Sequence, residues 1–220
     1  MTVQDVVESY SDVLEMCPLF EGFSGEELTG ALMFYGAVFQ SYLKGETLLK
    51  IGSCVSRFAL VLSGTVHVLS DDINGSHMIM ATVQSGQCFG ESLCYRQAVE
   101  SPVYALAETQ VSVLWLKADG FSSGECVHCH RFISMLTRKT LMMNSRIQVL
   151  SKLTLREKLM TLFSQYAEKP GKAFALPFDR EALAVYLGAN RSALSRELSK
   201  MHNEGLIEYE KNSFIVLPKK

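Results

Sequence analysis

Residues 179–201 constrain this chain more than any other stretch: Asp179-Arg-Glu-Ala-Leu-Ala-Val-Tyr-Leu-Gly188-Ala-Asn190-Arg-Ser-Ala-Leu-Ser-Arg-Glu-Leu-Ser-Lys-Met201. Two short helical patterns flank a Gly-Ala-Asn link. Asp179 is suited to cap the first helix, with Glu181 favourably placed in its first turn. Leu183 and Leu187 share one face, and Gly188 supplies the backbone freedom for a sharp turn. Asn190 is suited to cap the second helix.

The second helix has two faces. At the helical repeat, Leu194, Leu198 and Met201 gather on one side and Ser192, Ser195, Arg196 and Ser199 on the other. Short hydroxyls around an arginine let a helix approach base edges closely, and an arginine can bond guanine O6 and N7 together. Arg191 sits in the first turn, where the helix dipole disfavours a cation and a nearby phosphate would offset that cost. This is the layout of a helix-turn-helix whose second helix enters the major groove. It competes with an ordinary surface helix on a small core.

The stretch "REALAVYLGANRSALSRELSKMHNEGLI", residues 180–207, resembles the helix-turn-helix signature of the cyclic-AMP receptor/fumarate–nitrate regulator (Crp/Fnr) superfamily. Its Leu-Gly turn, Ser-Arg pair and Glu-Gly-Leu-Ile end carry the likeness. The N-terminal "PLFEGFSGEEL" is similar to the segment that leads into that family's sensory barrel.

Charge is distributed unevenly. The formal net charge is −2, yet residues 1–150 hold 9 Lys+Arg against 15 Asp+Glu and residues 151–220 hold 12 against 8. The basic part contains the helix pair, as phosphate neutralisation requires. Hydrophobic residues make up 48% of the chain, enough for a substantial core. The opening MTVQDVVESY has no apolar signal region, and no run approaches the roughly 18 apolar residues of a membrane span. The expectation is a cytoplasmic protein with mostly reduced cysteines and no membrane partner.

The N-terminal part changes period. Residues 1–35 read as short helices, with Ser24 and Glu27 as a capping box. Residues 37–117 read as many short strands punctuated by Lys44-Gly45-Glu46, Ser63-Gly64, Asn74-Gly75 and Glu108-Thr109, with Asn74-Gly75 a hairpin signal. Such spacing points to a double-stranded β-helix, or jelly roll. The run Gly45…Gly64-Thr-Val…Gly86…Phe89-Gly90-Glu91 resembles the cyclic-nucleotide-binding fold of the same superfamily.

That resemblance breaks at one place. It implies an Arg-Ser pair about ten residues after Phe-Gly-Glu, the arginine pairing a cyclic phosphate and the glutamate a ribose hydroxyl. Here the segment reads Ala98-Val99-Glu100-Ser101-Pro102, and Arg96 is the only nearby cation. Glu100 would repel a phosphate, and Pro102 lacks a backbone donor. The cyclic-nucleotide site is read as lost, with Glu91 either a structural turn residue or an anchor for another ligand. A barrel lined by Val61, Val66, Val68, Glu91, Leu93, Tyr95, Tyr104 and Leu106 would hold an apolar or aromatic effector, unless it is fully packed.

Cys126-Val-His128-Cys129-His130 contains C-x-x-C. A redox disulfide between Cys126 and Cys129, a metal site, haem attachment and plain packing all remain open readings. No set of four metal ligands is evident and no permanently bound cofactor is expected. Residues 127–150 then read as one long helix with Phe132, Leu136, Thr140, Met143, Ile147 and Leu150 at coiled-coil spacing. The competing reading packs this helix on its own barrel. After it, "SKLTLREKLMTLFSQYAEK" reads as an amphipathic helix, "KAFALPF" as a short hairpin arm, and "LIEYEKNSFIVL" as a wing with Lys211 at its tip, within reach of phosphate.

The expected fold class is α+β. Residues 1–125 form an effector-sensing barrel domain, 126–150 a dimerisation helix, and 151–220 a winged helix-turn-helix. The expected function is a homodimeric, sequence-specific DNA-binding transcription regulator on a palindromic operator, controlled by a small-molecule or redox signal. RNA polymerase contact is implied by the resemblance alone. DNA contacts are assigned to Arg191, Ser192, Ser195, Arg196, Ser199 and Lys211. The alternatives are a redox or haem sensor on the same scaffold and a cupin-like metal enzyme. No phosphate-binding loop, dinucleotide fingerprint or nucleophile elbow supports an enzyme.

Overall fold

The computed structural model describes residues 1–71, 77–95, 100–118 and 127–218, without the side chain of Tyr95. The Asn74-Gly75 turn, Arg96, the Ala98-Val99 pair and Cys126 lie outside the described residues. The chain divides into two compact units, Met1–Thr137 and Arg138–Lys220.

The first unit opens with helices α1 (Val3–Met16) and α2 (Gly25–Phe34). Glu27 accepts from the Ser24 backbone N–H at 3.0 Å, as the capping pattern anticipates. Eight strands follow: β1 (Val38–Tyr42), β2 (Thr47–Leu49), β3 (Arg57–Ser63), β4 (Val66–Asp71), β5 (His77–Val83), β6 (Cys88–Phe89), β7 (Tyr104–Ala107) and β8 (Val111–Lys117). A short helix α3 (Glu91–Tyr95) interrupts them. One sheet has the order β1-β8-β3-β6 and the other β2-β7-β4-β5. Each of the turns at Lys44-Gly45-Glu46, Ser63-Gly64 and Glu108-Thr109 therefore passes the chain between sheets, the crossing pattern of a jelly roll. Among the described strands of this unit, only β4 and β5 pair as sequential neighbours, His77 opposite Asp71. Gly64 shows why one crossing needs glycine: its φ is 84°, and a Cβ there would lie 2.2 Å from the Gln110 carbonyl oxygen.

The first core is fully buried and rich in rings, Phe20, Tyr35, Phe58 and Phe132 among them. Phe132 comes from helix α4 (Val127–Leu150), its ring centroid 5.4 Å from that of Phe58.

The second unit holds the rest of α4, then α5 (Leu155–Tyr166), β9 (Ala173–Ala175), α6 (Arg180–Leu187), α7 (Arg191–Asn203), β10 (Ile207–Glu210) and β11 (Ser213–Val216). Thr154 and Glu157 form a reciprocal capping box on α5. Leu159, Leu162, Phe163, Leu183, Leu187, Leu194, Leu198, Met201 and Phe214 form one core. The Ala173–Ala175 segment departs from the expected separate hairpin: it pairs antiparallel with β11, giving a three-stranded wing of order β10-β11-β9. Phe174 opposite Phe214 explains this, because the pair covers Phe163 at 5.7 and 4.8 Å. An isolated two-stranded arm would leave that surface wet.

Candidate nucleic-acid interface

Helices α6 and α7 are set by their ends. The Asp179 side chain accepts from Ala182 N–H at 2.8 Å, and Asn190 accepts from Ala193 N–H at 2.7 Å. Gly188 takes the left-handed conformation, φ 64° and ψ 40°, where a Cβ would be strained. Lys158 Nζ donates to the Leu187 carbonyl at 3.0 Å, placing a cation at the negative end of α6. The joint between the helices is thus fixed by caps rather than by length.

With the turn fixed, the two faces of α7 separate. Leu194, Leu198 and Met201 are buried, while Arg191, Ser192, Ser195, Arg196 and Ser199 are exposed. A groove of 520 Å³ runs along the exposed face past Ser195, Arg196 and Ser199 to Lys200 and Asn203. Two details refine the sequence picture. Ser192 donates its hydroxyl to Asn190 Oδ1 at 2.8 Å, so it helps hold the cap. Arg196 Nε donates to the Ser192 carbonyl at 3.3 Å, so its guanidinium rests along the helix. Lys200, one turn beyond Arg196, is an exposed cation on the same groove that sequence reasoning passed over. Its i+4 spacing from Arg196 was the signal.

Two arginines behind this face also escaped notice. Arg156 donates from Nε to Glu197 at 2.6 Å and grips Glu204 with both terminal nitrogens. The two carboxylates raise its pKa further, so it remains cationic. Arg180, at the start of α6, lies 5.0 Å from the ring of Tyr209 and 5.1 Å from that of Phe214, joining the helix pair to the wing. Lys211 is exposed at the wing tip with φ 50°, a backbone region that non-glycine residues rarely adopt.

The other expected sites are distributed differently. On α4, Thr140, Met143, Ile147 and Leu150 are exposed and Leu136 is half-buried. Phe132 is 1% exposed in the core of its own unit, which removes it from an open seam. In the barrel, Val61 and Val66 are buried and Glu91 is nearly so. Tyr104 corrects the expected pocket. Ala105 and Ala107 face the core, so strand alternation turns Tyr104 and Leu106 outward. The Tyr104 hydroxyl donates to Asp71 Oδ1 at 2.9 Å, on the exposed side beside His77. Two clefts of this unit are lined instead by residues such as Tyr42, Arg57 and Trp115, and Val3, Leu32 and Phe39.

In the segment where a phosphate-pairing arginine was sought, Ser101 is buried. Its hydroxyl donates to the Val103 carbonyl at 2.7 Å, and its N–H bonds the Ser53 carbonyl. Cys129 is buried, and its expected partner Cys126 lies outside the described residues. A different thiol pair emerges: Cys17 Sγ lies 3.8 Å from Cys88 Sγ, both buried and 71 residues apart. No local motif could have announced it. Among the described residues no cluster of His, Cys, Asp and Glu could hold a metal ion, and no helix is long and apolar enough to cross a membrane.

The sequence model of the cyclic nucleotide-binding domain matches residues 39–123, and that of the Crp-like helix-turn-helix domain matches residues 153–220. No curated protein matches the chain. Among solved structures, a Ruegeria pomeroyi protein named for cyclic nucleotide binding is 21% identical, with a TM-score of 0.54 over 94% of this chain and 92% of that one. The DNR protein of Pseudomonas aeruginosa is 16% identical, with a TM-score of 0.51 over 96% and 95%. The catabolite activator protein of Thermus thermophilus is 21% identical, with a TM-score of 0.50 over 90% and 93%. At these identities the likeness establishes a shared fold.

Proposed function

This chain belongs to the Crp/Fnr superfamily of transcription regulators, and from that premise we propose that it binds a palindromic operator as a homodimer under control of a small-molecule or redox signal received by its barrel unit. The observation that carries the reading is the exposed Ser192/Ser195/Arg196/Ser199 face of α7, whose opposite face anchors the core. Arg196 reads a base edge, while Arg191 at the helix start and Lys211 on the wing meet phosphates. The exposed Thr140/Met143/Ile147/Leu150 stripe of α4 supports pairing with a second copy. Two-fold symmetry would set two recognition helices one DNA turn apart, about 34 Å. The signal shifts an equilibrium between poor and good spacing of those helices.

Cyclic nucleotides are not the signal in this reading. Glu100 is exposed in the segment where the family resemblance implies the phosphate-pairing arginine, and the hydroxyl of Ser101 is committed to Val103. RNA polymerase as a partner follows from the family alone.

Selection of duplex DNA from a random pool by the full chain tests the reading. It predicts enriched inverted repeats bound by two chains. Recovery of no preferred sequence, or of a single half-site bound by one chain, would overturn it.

A further inference from the structure

The second half of α4 carries two separate faces. Thr140, Met143, Ile147 and Leu150 mark one, and Met142, Ser145, Arg146 and Val149 the other, roughly a third of a turn away. Val149 is fully buried in the core of the second unit, so this other face is the one that packs against α5 and α6. The packing is incomplete. Beside Val149 a cleft of 490 Å³ opens between α4, the end of α5 and α6.

The cleft has the makeup of a small-molecule site. Its volume lies within the range of about 300–1,000 Å³ that such sites occupy. Leu141 and Met142 form one apolar wall, although Met142 is 72% exposed. Phe178 and Tyr186 form the opposite wall, their rings tilted at 36° with centroids 4.8 Å apart. Methionine adapts its shape to a guest.

Charge supplies the remaining clue. The Arg146 guanidinium sits at one end, 5.3 Å from the centre of the Tyr186 ring. No aspartate or glutamate lines the cleft, and among the described residues no carboxylate pairs with Arg146. Gln165 is engaged with α4 itself, its amide donating to the Ser145 carbonyl at 3.1 Å. An apolar trough ending in an unneutralised guanidinium matches a molecule with an apolar body and one anionic head.

We propose that this cleft binds an amphipathic monocarboxylate, with the apolar body between Met142 and the Phe178–Tyr186 pair and the carboxylate on Arg146. Bidentate pairing of guanidinium with carboxylate fixes the head, and the aromatic wall takes the body. Because Arg146 belongs to α4 and Tyr186 to the first helix of the helix-turn-helix, the bound molecule bridges the two. Met143 lines the cleft and also belongs to the Thr140/Ile147/Leu150 face, so ligand and dimer partner would meet at that side chain.

The test uses the full chain with methyl-labelled methionine and phenylpropanoate as probe, with phenylpropanol as its uncharged counterpart. The Met142 signal, assigned through Met142→Leu, should move saturably with phenylpropanoate at low millimolar concentration. Phenylpropanol should bind roughly tenfold more weakly, and Arg146→Gln should lose about the same factor for the acid, near 1.4 kcal/mol. Arg146→Lys should recover part of the loss. The proposal is overturned if Met142 does not move saturably, if Arg146→Gln binds the acid as well as the native chain does, or if only the barrel methionines Met78 and Met80 respond. The experiment contains no DNA, so its failure leaves the reading of α7 standing.

Discussion

Arg156 on α5 holds Glu204, the residue that ends α7, through two parallel hydrogen bonds: Nη1 to Oε2 at 2.6 Å and Nη2 to Oε1 at 3.0 Å. The same guanidinium reaches Glu197 inside α7. Two carboxylates on a helix proposed to face phosphates would be a liability, and this arginine both neutralises and aims them. Arg156→Met should lower the melting temperature and weaken binding to every DNA sequence alike. Adding Glu204→Gln to that variant should cost little more, because members of one network are not additive. Thermal melts of the two single variants and the double check this. Fully additive losses would show that Arg156 and Glu204 are not energetically coupled.

Cyclic AMP should leave this protein unchanged. A ligand present at about 100 times its dissociation constant stabilises by about 2.7 kcal/mol, a shift that a thermal melt resolves easily. With Glu100 exposed and the Ser101 hydroxyl donated to Val103, no such gain is expected. A dose-dependent rise in melting temperature at millimolar cyclic AMP would refute the loss of the nucleotide site.

His128 gives the barrel unit a pH dependence. Its ring stacks on Phe34 at 4.4 Å, and its Nδ1 is buried without a hydrogen-bond partner. Burial, reinforced by the Arg131 charge, pushes its pKa below the ordinary 6.5. The folded chain therefore holds the neutral ring where the unfolded chain takes up a proton. The stability this gives is present above pH 6.5 and is lost as the pH falls through the lowered folded value. The carboxylates with resolved shifts, Asp5, Glu27, Asp71, Glu157 and Glu204, are all lowered and titrate in a more acidic range. Melting temperature should thus fall between pH 7 and about 5 in the native chain and fall less in His128→Phe. Parallel profiles for the two proteins would exclude His128 as the cause.

The order of elements was legible because local chemistry decides it. Asp179, Gly188 and Asn190 specify where α6 stops and α7 starts, and each does so through its own side chain or backbone. The division of α7 into an apolar and a hydroxyl face followed from the helical repeat. Strand punctuation was readable for the same reason at Gly64. What the sequence hid were choices made by distant partners. Tyr104 is a large ring in a β run, and only the register of β7 on β4, with Ala105 opposite Val68, turns it outward. Phe132 matches a heptad position, yet Phe58 claims it for the barrel core. The strand at Ala173–Ala175 needed β11 as its partner, and the Cys17–Cys88 contact needed α1 folded against β6.

Met143 tests the seam. It is 65% exposed on the same stripe of α4 as Ile147 and Leu150. In a two-fold dimer, Met143→Glu would bring like charges together at a cost of about 3–5 kcal/mol, the penalty for an uncompensated charge in an interface. Sedimentation should show monomers while circular dichroism stays unchanged. A variant that remains a tight dimer would place the interface elsewhere.

The reading of α7 is tested most directly by titrating the native chain, Arg196→Ala and Arg191→Ala against a selected operator and its single-base variants at several salt concentrations. Arg196 lies mid-face and must leave the Ser192 carbonyl to reach a base edge. Its loss should cost about 1–3 kcal/mol and relax preference at one base pair per half-site. Arg191→Ala should weaken all sequences about equally and lower the salt slope by roughly 0.9 for each phosphate contact removed. If Arg196→Ala instead loses affinity evenly across every base variant, with sequence preference intact, then Arg196 is not the residue that reads the operator.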